Sequence, residues 1–137
     1  LLSVASAAIG AEHPSLRTPV EGPVDARLIS VVDGDTLLVE ARPWPQQTVT
    51  VLVRIRGVDA PELRAKCSAD RRAAVRAKQR LVDLARDRIR LTNVAGDKYF
   101  GRVVADVATN GGDVATSLLA AGLVSTYDGG RRTRACG

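Results

Sequence analysis

Apolar and polar residues alternate through TVTVLVRIRG, residues 48–57. A strand there puts Val53 and Ile55 on an inward face and Arg54, Arg56 and Val58 on the other. Two shorter β-branched runs precede it, at 26–32 and 36–41. Asp33-Gly34 between them predicts a tight hairpin turn, with glycine supplying positive φ. RPWPQQ, residues 42–47, holds two prolines and predicts a longer hairpin loop in which Trp44 packs. From 69 to 86 the period changes: Ala74, Ala77, Leu81, Leu84 and Ala85 form a helical stripe with arginines and a lysine opposite. Ser68 is expected to cap that helix, and Asp70 suits its N-terminal dipole. Two further strands are expected at 88–93 and 102–107. Asp113 then caps a second helix that Gly122 stops. The predicted order is β-β-β-α-β-β-α. Five strands with a helix after the third fit a mainly β, α+β domain: a five-stranded Greek-key barrel of the oligonucleotide/oligosaccharide-binding (OB-fold) type with two helices. On strand count alone, a two-layer α+β sandwich fits nearly as well.

The first residues, LLSVASAAIGA, are apolar and small, and too short to span a bilayer as a helix. They look like the apolar region of a secretory signal, with a flexible small-residue lead as the alternative. EHPSLRTPVEGPV, residues 12–24, has three prolines and no period, and reads as a linker. Residues 1–24 are thus expected to be a signal-peptide remnant and flexible linker, and 25–137 the folded domain. The protein is expected to be exported, periplasmic or secreted, without stable membrane association. Its 137 residues suit one domain, and 45% apolar and 26% charged residues are ordinary for a globular chain.

His13 is the one histidine, which sets aside a histidine-based zinc site and a Ser-His-Asp triad. One Trp, two Tyr and one Phe are too few for a row of base-stacking platforms. The net charge of +5 points toward a polyanionic partner, although such charge also serves solubility. Cys67 and Cys136 suggest one disulfide in an exported protein, with two unpaired thiols as the alternative. The bridge would pin the C-terminal tail to the loop after residue 62, worth roughly 3–5 kcal/mol in the chain-entropy model.

Arg54 and Arg56 share a strand face and repel each other unless an anion lies near. Pro61 biases Ala60 toward extended backbone, so Asp59, the Ala60 carbonyl and Glu62 form an oxygen-rich corner of the kind calcium prefers. Arg102 begins a strand just after a turn. Each feature alone has a plain reading, as a hairpin turn, an acidic loop or a charged strand start. Together, Asp35 and Asp59 beside arginines supply the parts for metal-assisted phosphodiester hydrolysis.

VVDGDTL, VRIRGVDAPE, DKYFGR and AAGLV occur in this order across residues 26–127, and in this the chain resembles the staphylococcal nuclease (thermonuclease) family. The resemblance implies the OB-fold barrel. It also implies a calcium cofactor held by Asp35, Asp59 and the Ala60 carbonyl, with Asp33 and Thr36 close by. Glu62 corresponds to the general base, and Arg54 and Arg102 to the two catalytic arginines. Lys98 and Tyr99 correspond to positions that contact the nucleotide; Tyr127 aligns with one only across a gap. The implied reaction breaks the 5′-O–P bond of DNA and RNA, favouring single-stranded or flexible regions, and leaves 3′-phosphates. A monomer is expected.

Four departures stand out. DKYFGR is one residue longer than the commoner DKYGR, so a bulge is expected to bring Arg102 to the site. Arg56 replaces a usually apolar residue, and either adds phosphate affinity or perturbs Arg54. The loop after Glu62 is short. DGGRRTRACG stands where the staphylococcal enzyme has a C-terminal helix, and a Cys67–Cys136 disulfide is expected to substitute for it. The competing readings are a non-catalytic nucleic-acid-binding barrel and an exported structural domain; the presence of Asp35, Arg54, Asp59, Glu62 and Arg102 favours the enzyme.

Overall fold

The computed structural model describes residues 15–130. Three strands, β1 (Val24–Asp33), β2 (Thr36–Trp44) and β3 (Gln47–Ile55), form an antiparallel meander. β4 (Val58–Asp59) follows, then α1 (Ser68–Leu84), β5 (Ile89–Gly96) and β6 (Arg102–Thr109). β7 (Gly112–Asp113), α2 (Val114–Ala120) and β8 (Ser125–Thr126) complete the order. β5 pairs with the start of β1 and with β6, both antiparallel, and β6 runs parallel to β3. That last pairing closes β3-β2-β1-β5-β6 into a five-stranded OB-fold barrel with two helices, and rules out the open sandwich.

Closure needs bent strands. β1 has register shifts between Leu28 and Ser30 and between Val31 and Asp33, and such bulges increase local twist. It pairs with β2 along its length and with β5 at its first residues. Inside the barrel Leu37, Val39, Val53, Ile55, Leu91 and Val107 interdigitate, and Leu81 of α1 and Leu118 of α2 plug it. The inward positions of β3 are those its alternation predicts. The alternation stops at Ile55, because Gly57 turns the chain at φ 83°. Val58 is consequently buried in the core instead of sharing a face with Arg54.

Local details correct several expectations. The second hairpin is tight: Trp44 pairs with Gln47 around Pro45-Gln46, and Gln46 adopts φ 68°. Both strands run on to the turn, so Trp44 projects from the tip, 62% exposed, and packs in no loop. The first hairpin turns at Gly34-Asp35 between paired Asp33 and Thr36. Gly34 is not at positive φ. Its missing side chain is needed for another reason: a Cβ there would lie 2.6 Å from the Ala77 Cβ of α1 and 2.8 Å from the Ala60 Cβ.

Cys67, not Ser68, is the N-cap of α1, and it makes no side-chain capping bond. Arg71 secures that end by donating to the Ala65 and Lys66 carbonyls, both at 2.9 Å. α2 behaves as predicted. Asp113 accepts from the Thr116 N–H and hydroxyl. Gly122 at φ 68° ends it, with the Leu123 N–H bonded to the Leu118 carbonyl and the Gly122 N–H to Leu119, the Schellman pattern. N-terminal to β1, Val20 bridges to Val94 and Asn93 donates to the Glu21 carbonyl. Among the described residues no helix is long and apolar enough to cross a membrane.

Candidate active site

β3, the β1–β2 turn and β4 meet around one guanidinium. Arg54, on the outer face of β3 opposite Thr36, is only 7% exposed. Its Nη1 lies 3.4 Å from Asp35 Oδ2 and its Nη2 3.4 Å from Asp59 Oδ1. Nη1 also donates to the Ile55 carbonyl at 3.2 Å. Both carboxylates are buried, and the cation shared between them offsets part of that cost.

Asp35 organises the rest. Its Oδ1 accepts the Thr36 hydroxyl at 2.8 Å and its Oδ2 the Ala60 N–H at 2.9 Å, fixing the corner that Pro61 follows. Its carbonyl accepts the Ile55 N–H, which ties the turn to β3. Asp33 Oδ1 accepts the Asp35 N–H at 3.0 Å, closing the turn with a side chain. Burial pushes the Asp33 carboxyl up to about 6, helped by the neighbouring Asp35. Burial also opposes the Asp35 anion, but bonds from the Asp33 carboxyl and the Ala60 N–H, with Arg54 and Thr36, outweigh it and hold Asp35 below its ordinary range. One arginine thus does not neutralise the cluster.

The chain returns here after α2. β8 pairs with β4, Val58 to Thr126 and Asp59 to Ser125, and the Tyr127 N–H donates to the Gly57 carbonyl. The Tyr127 ring comes to 5.6 Å from the Arg54 guanidinium, within cation–π range. Glu62 lies on the exposed side of the corner, three residues beyond Asp59, and its carbonyl accepts the Ala65 N–H in the turn that follows.

A second group sits at the β5–β6 turn. Arg102 bonds through Nε to the Asp97 carboxylate, and its guanidinium stacks 4.7 Å from the Tyr99 ring centre, while Lys98 approaches that ring at 5.1 Å. Burial would raise the Asp97 carboxyl, but Arg102 and the Lys98 N–H and charge bring it below its ordinary value. Arg102 is in register with Leu52 and Val104 with Arg54, so Arg102 and Arg54 lie on one face of the seam, two residues apart along it. The extra residue of DKYFGR is absorbed at the turn, where Phe100 is fully exposed and Gly101 adopts φ 83°. A register shift lies instead in β5, between Thr92 and Ala95.

Asp33, Asp35, Thr36, Arg54, Asp59, Ala60 and Tyr127 therefore converge, and Lys98, Tyr99 and Arg102 form a neighbouring set. Arg56 joins neither. It lies past the end of β3 and is bound by Asp106 at 3.2 Å and by the Val104 and Asn93 carbonyls. Cys136 lies outside the described residues, and with it the expected Cys67–Cys136 pairing. Sequence reading passed over Asp97 and Asp106, the carboxylates that hold Arg102 and Arg56. Asp97 was accessible from its place across a short turn from Arg102; Asp106 pairs across strands and left no local signal.

A closed OB-type barrel with a buried arginine between two carboxylates on its outer face defines the class: a nuclease-like or nucleic-acid-binding β-barrel. The family model described as staphylococcal nuclease homologue matches residues 52–135, more than half of the chain, and the chain belongs to that family. The match includes Arg54, Asp59, Glu62, Arg102 and Tyr127; Asp33 and Asp35 precede it and are joined to it by the contacts above. No curated protein matches the chain.

Proposed function

We propose that this protein is a calcium-dependent nuclease that hydrolyses DNA and RNA at the 5′-O–P bond and leaves 3′-phosphates. The observation that carries the reading is the buried Arg54 shared by Asp35 and Asp59, beside an Asp33 carboxyl that burial, and then the neighbouring Asp35, push up to about 6. Carboxylates gathered at one corner suit a cation, and their hard oxygens suit calcium. No three His, Cys, Asp or Glu side chains converge for a metal among the described residues. On this proposal Asp35, Asp59 and the Ala60 carbonyl would hold the ion, with water completing its shell. Bound there, calcium would supply charge neutralisation of a phosphate oxygen.

The chain's own groups supply the rest. Glu62 accepts a proton from the attacking water. Arg54 and Arg102, on one face of the β3–β6 seam, stabilise charge that builds on the phosphoryl oxygens, and guanidinium geometry suits such oxygens. Lys98 and Tyr99 position the nucleotide, and the Tyr127 ring limits where Arg54 can move. Arg56 is held by Asp106 and acts in the β3–β6 framework. Flexible or single-stranded substrates fit a site built for backbone. Export, a monomeric state and a Cys67–Cys136 disulfide belong to the same proposal; the disulfide fails if both thiols alkylate without reductant in intact-mass measurements.

Single-stranded DNA incubated with the protein in calcium, in EGTA, and with Glu62→Gln in calcium tests the activity. Cleavage that requires calcium and falls at least a hundredfold in the variant is expected. Intact DNA in every arm from a folded protein would favour the alternative, a non-catalytic binding barrel. That alternative draws on one observation: Asp97 already occupies Arg102.

A further inference from the structure

The barrel's cations are mostly neutralised in place. Arg27 pairs with Glu40, Arg42 and Arg88 with Asp25, Arg54 with Asp35 and Asp59, Arg56 with Asp106, and Arg102 with Asp97. α1 is different. Arg72, Arg76 and Arg80 recur every fourth residue on its exposed surface, and none makes an ion pair or side-chain hydrogen bond with a described residue. The acidic residues of α1 are Asp70 and Asp83, and Asp83 pairs with Arg86. Like charges four apart work against a helix, so this row adds nothing to the fold that carries it.

Its position gives it a use. The buried side of α1 seats Ala77 against Gly34, which also borders Ala60, so the helix rests on the backbone that carries Asp35 and follows Asp59. The row begins at a surface groove lined by Ser68, Arg71, Arg72, Val75 and Arg76, and Arg71 ties the helix start to the chain leading from Glu62. Arg72 to Arg80 spans about 12 Å along the axis, room for more than one phosphate. The groove contains no aromatic ring on which a base could stack.

We infer that the outer face of α1 is a second nucleic-acid contact, in which Arg72, Arg76 and Arg80 bind phosphates of the strand flanking the scissile bond. It rests on the nuclease reading for the location of that bond. The contact reads charge and not bases, so it favours long substrates, ignores sequence and weakens with salt. A trinucleotide held at Arg54 and Arg102 does not reach it.

The test is a triple variant, Arg72→Gln, Arg76→Gln and Arg80→Gln, which removes exposed charges without unpairing any described carboxylate. Binding of a fluorescent 20-residue oligothymidylate is measured by anisotropy in EGTA over a salt series. Hydrolysis of the same oligomer and of a trinucleotide is measured in calcium. Expected are an unchanged Tm, a 10- to 100-fold loss of 20-mer affinity, and a salt slope shallower by about 2. KM should rise for the 20-mer with kcat kept, and the trinucleotide should be unaffected. Unchanged affinity and slope would overturn the inference. So would equal losses on both substrates. If neither protein hydrolyses DNA but the binding loss appears, the nuclease reading fails and the contact stands.

Discussion

Arg54 carries more of this molecule than a surface arginine could. It is the cation between two buried carboxylates, so replacing it takes a shared counterion from both. Arg54→Met should destabilise the protein by about 3 kcal/mol in urea unfolding without metal, and added calcium should restore part of that loss. Arg54→Lys keeps the charge but not the fork, and should retain most of the stability while losing nuclease activity at least tenfold. Asp33 gives a pH signature. With its carboxyl at about 6 in the folded protein, the native state holds a proton that the unfolded chain has released, so metal-free stability falls as pH rises from about 4 to about 6.5. The lowered Asp35 carboxyl works in the opposite sense, and its contribution is lost only below about pH 4. Asp33→Asn in EGTA should therefore gain about 1 kcal/mol relative to wild type between pH 4.5 and pH 7.5, a figure reduced for partial exposure. An equal difference at both pH values would show that Asp33 is not held up by its surroundings. At this scale the sequence was informative wherever chemistry follows from neighbours in the chain: Asp33 to Thr36, and Asp59 to Glu62. It misled at Val58, because alternation assumes that the strand continues, and Gly57 turns the chain.

Between elements, the critical contact is the seat of α1 on the first hairpin. A methyl group at Gly34 would press into Ala77 and Ala60. Gly34→Ala should cost about 1–3 kcal/mol through overpacking, and should weaken calcium binding by shifting Asp35. Ala77→Gly in the same chain should recover part of the loss despite its helix-propensity penalty of about 1 kcal/mol; a double-mutant cycle in chemical denaturation reads this directly. A simple turn glycine would show no such coupling. The barrel strands and α2 were legible in period and caps because those signals are local. β4 and β8 were not, since a two-residue pairing between segments more than sixty positions apart leaves no pattern. The tight turn at Pro45-Gln46 was hidden by its prolines, which suit the end of a hairpin as well as a loop.

For the whole molecule, the proposed calcium site predicts linkage between metal and fold. A ligand that binds only the native state at a hundred times its Kd adds about 2.7 kcal/mol. Calcium should accordingly raise Tm by on the order of 10 °C, EGTA should reverse the rise, and Asp35→Asn should abolish it. A barrel that uses these carboxylates only to hold Arg54 would melt at the same temperature with and without the ion. Differential scanning calorimetry separates the two.

The parallel β3–β6 seam, finally, sets a timetable. It joins Leu52 to Arg102 and Ile55 to Ala105, so the barrel cannot close until some fifty intervening residues have been laid down and docked. Pairings of such long separation make folding slow, because chain entropy is lost before the contact repays it. The β1–β3 meander can form early from local contacts. Arg54 gains its full enclosure only when β6 arrives and the chain reaches Tyr127. A growing chain on the ribosome thus holds the acidic pieces of the Arg54 cluster well before it holds the arranged site, and assembly of that cluster coincides with the last step of folding.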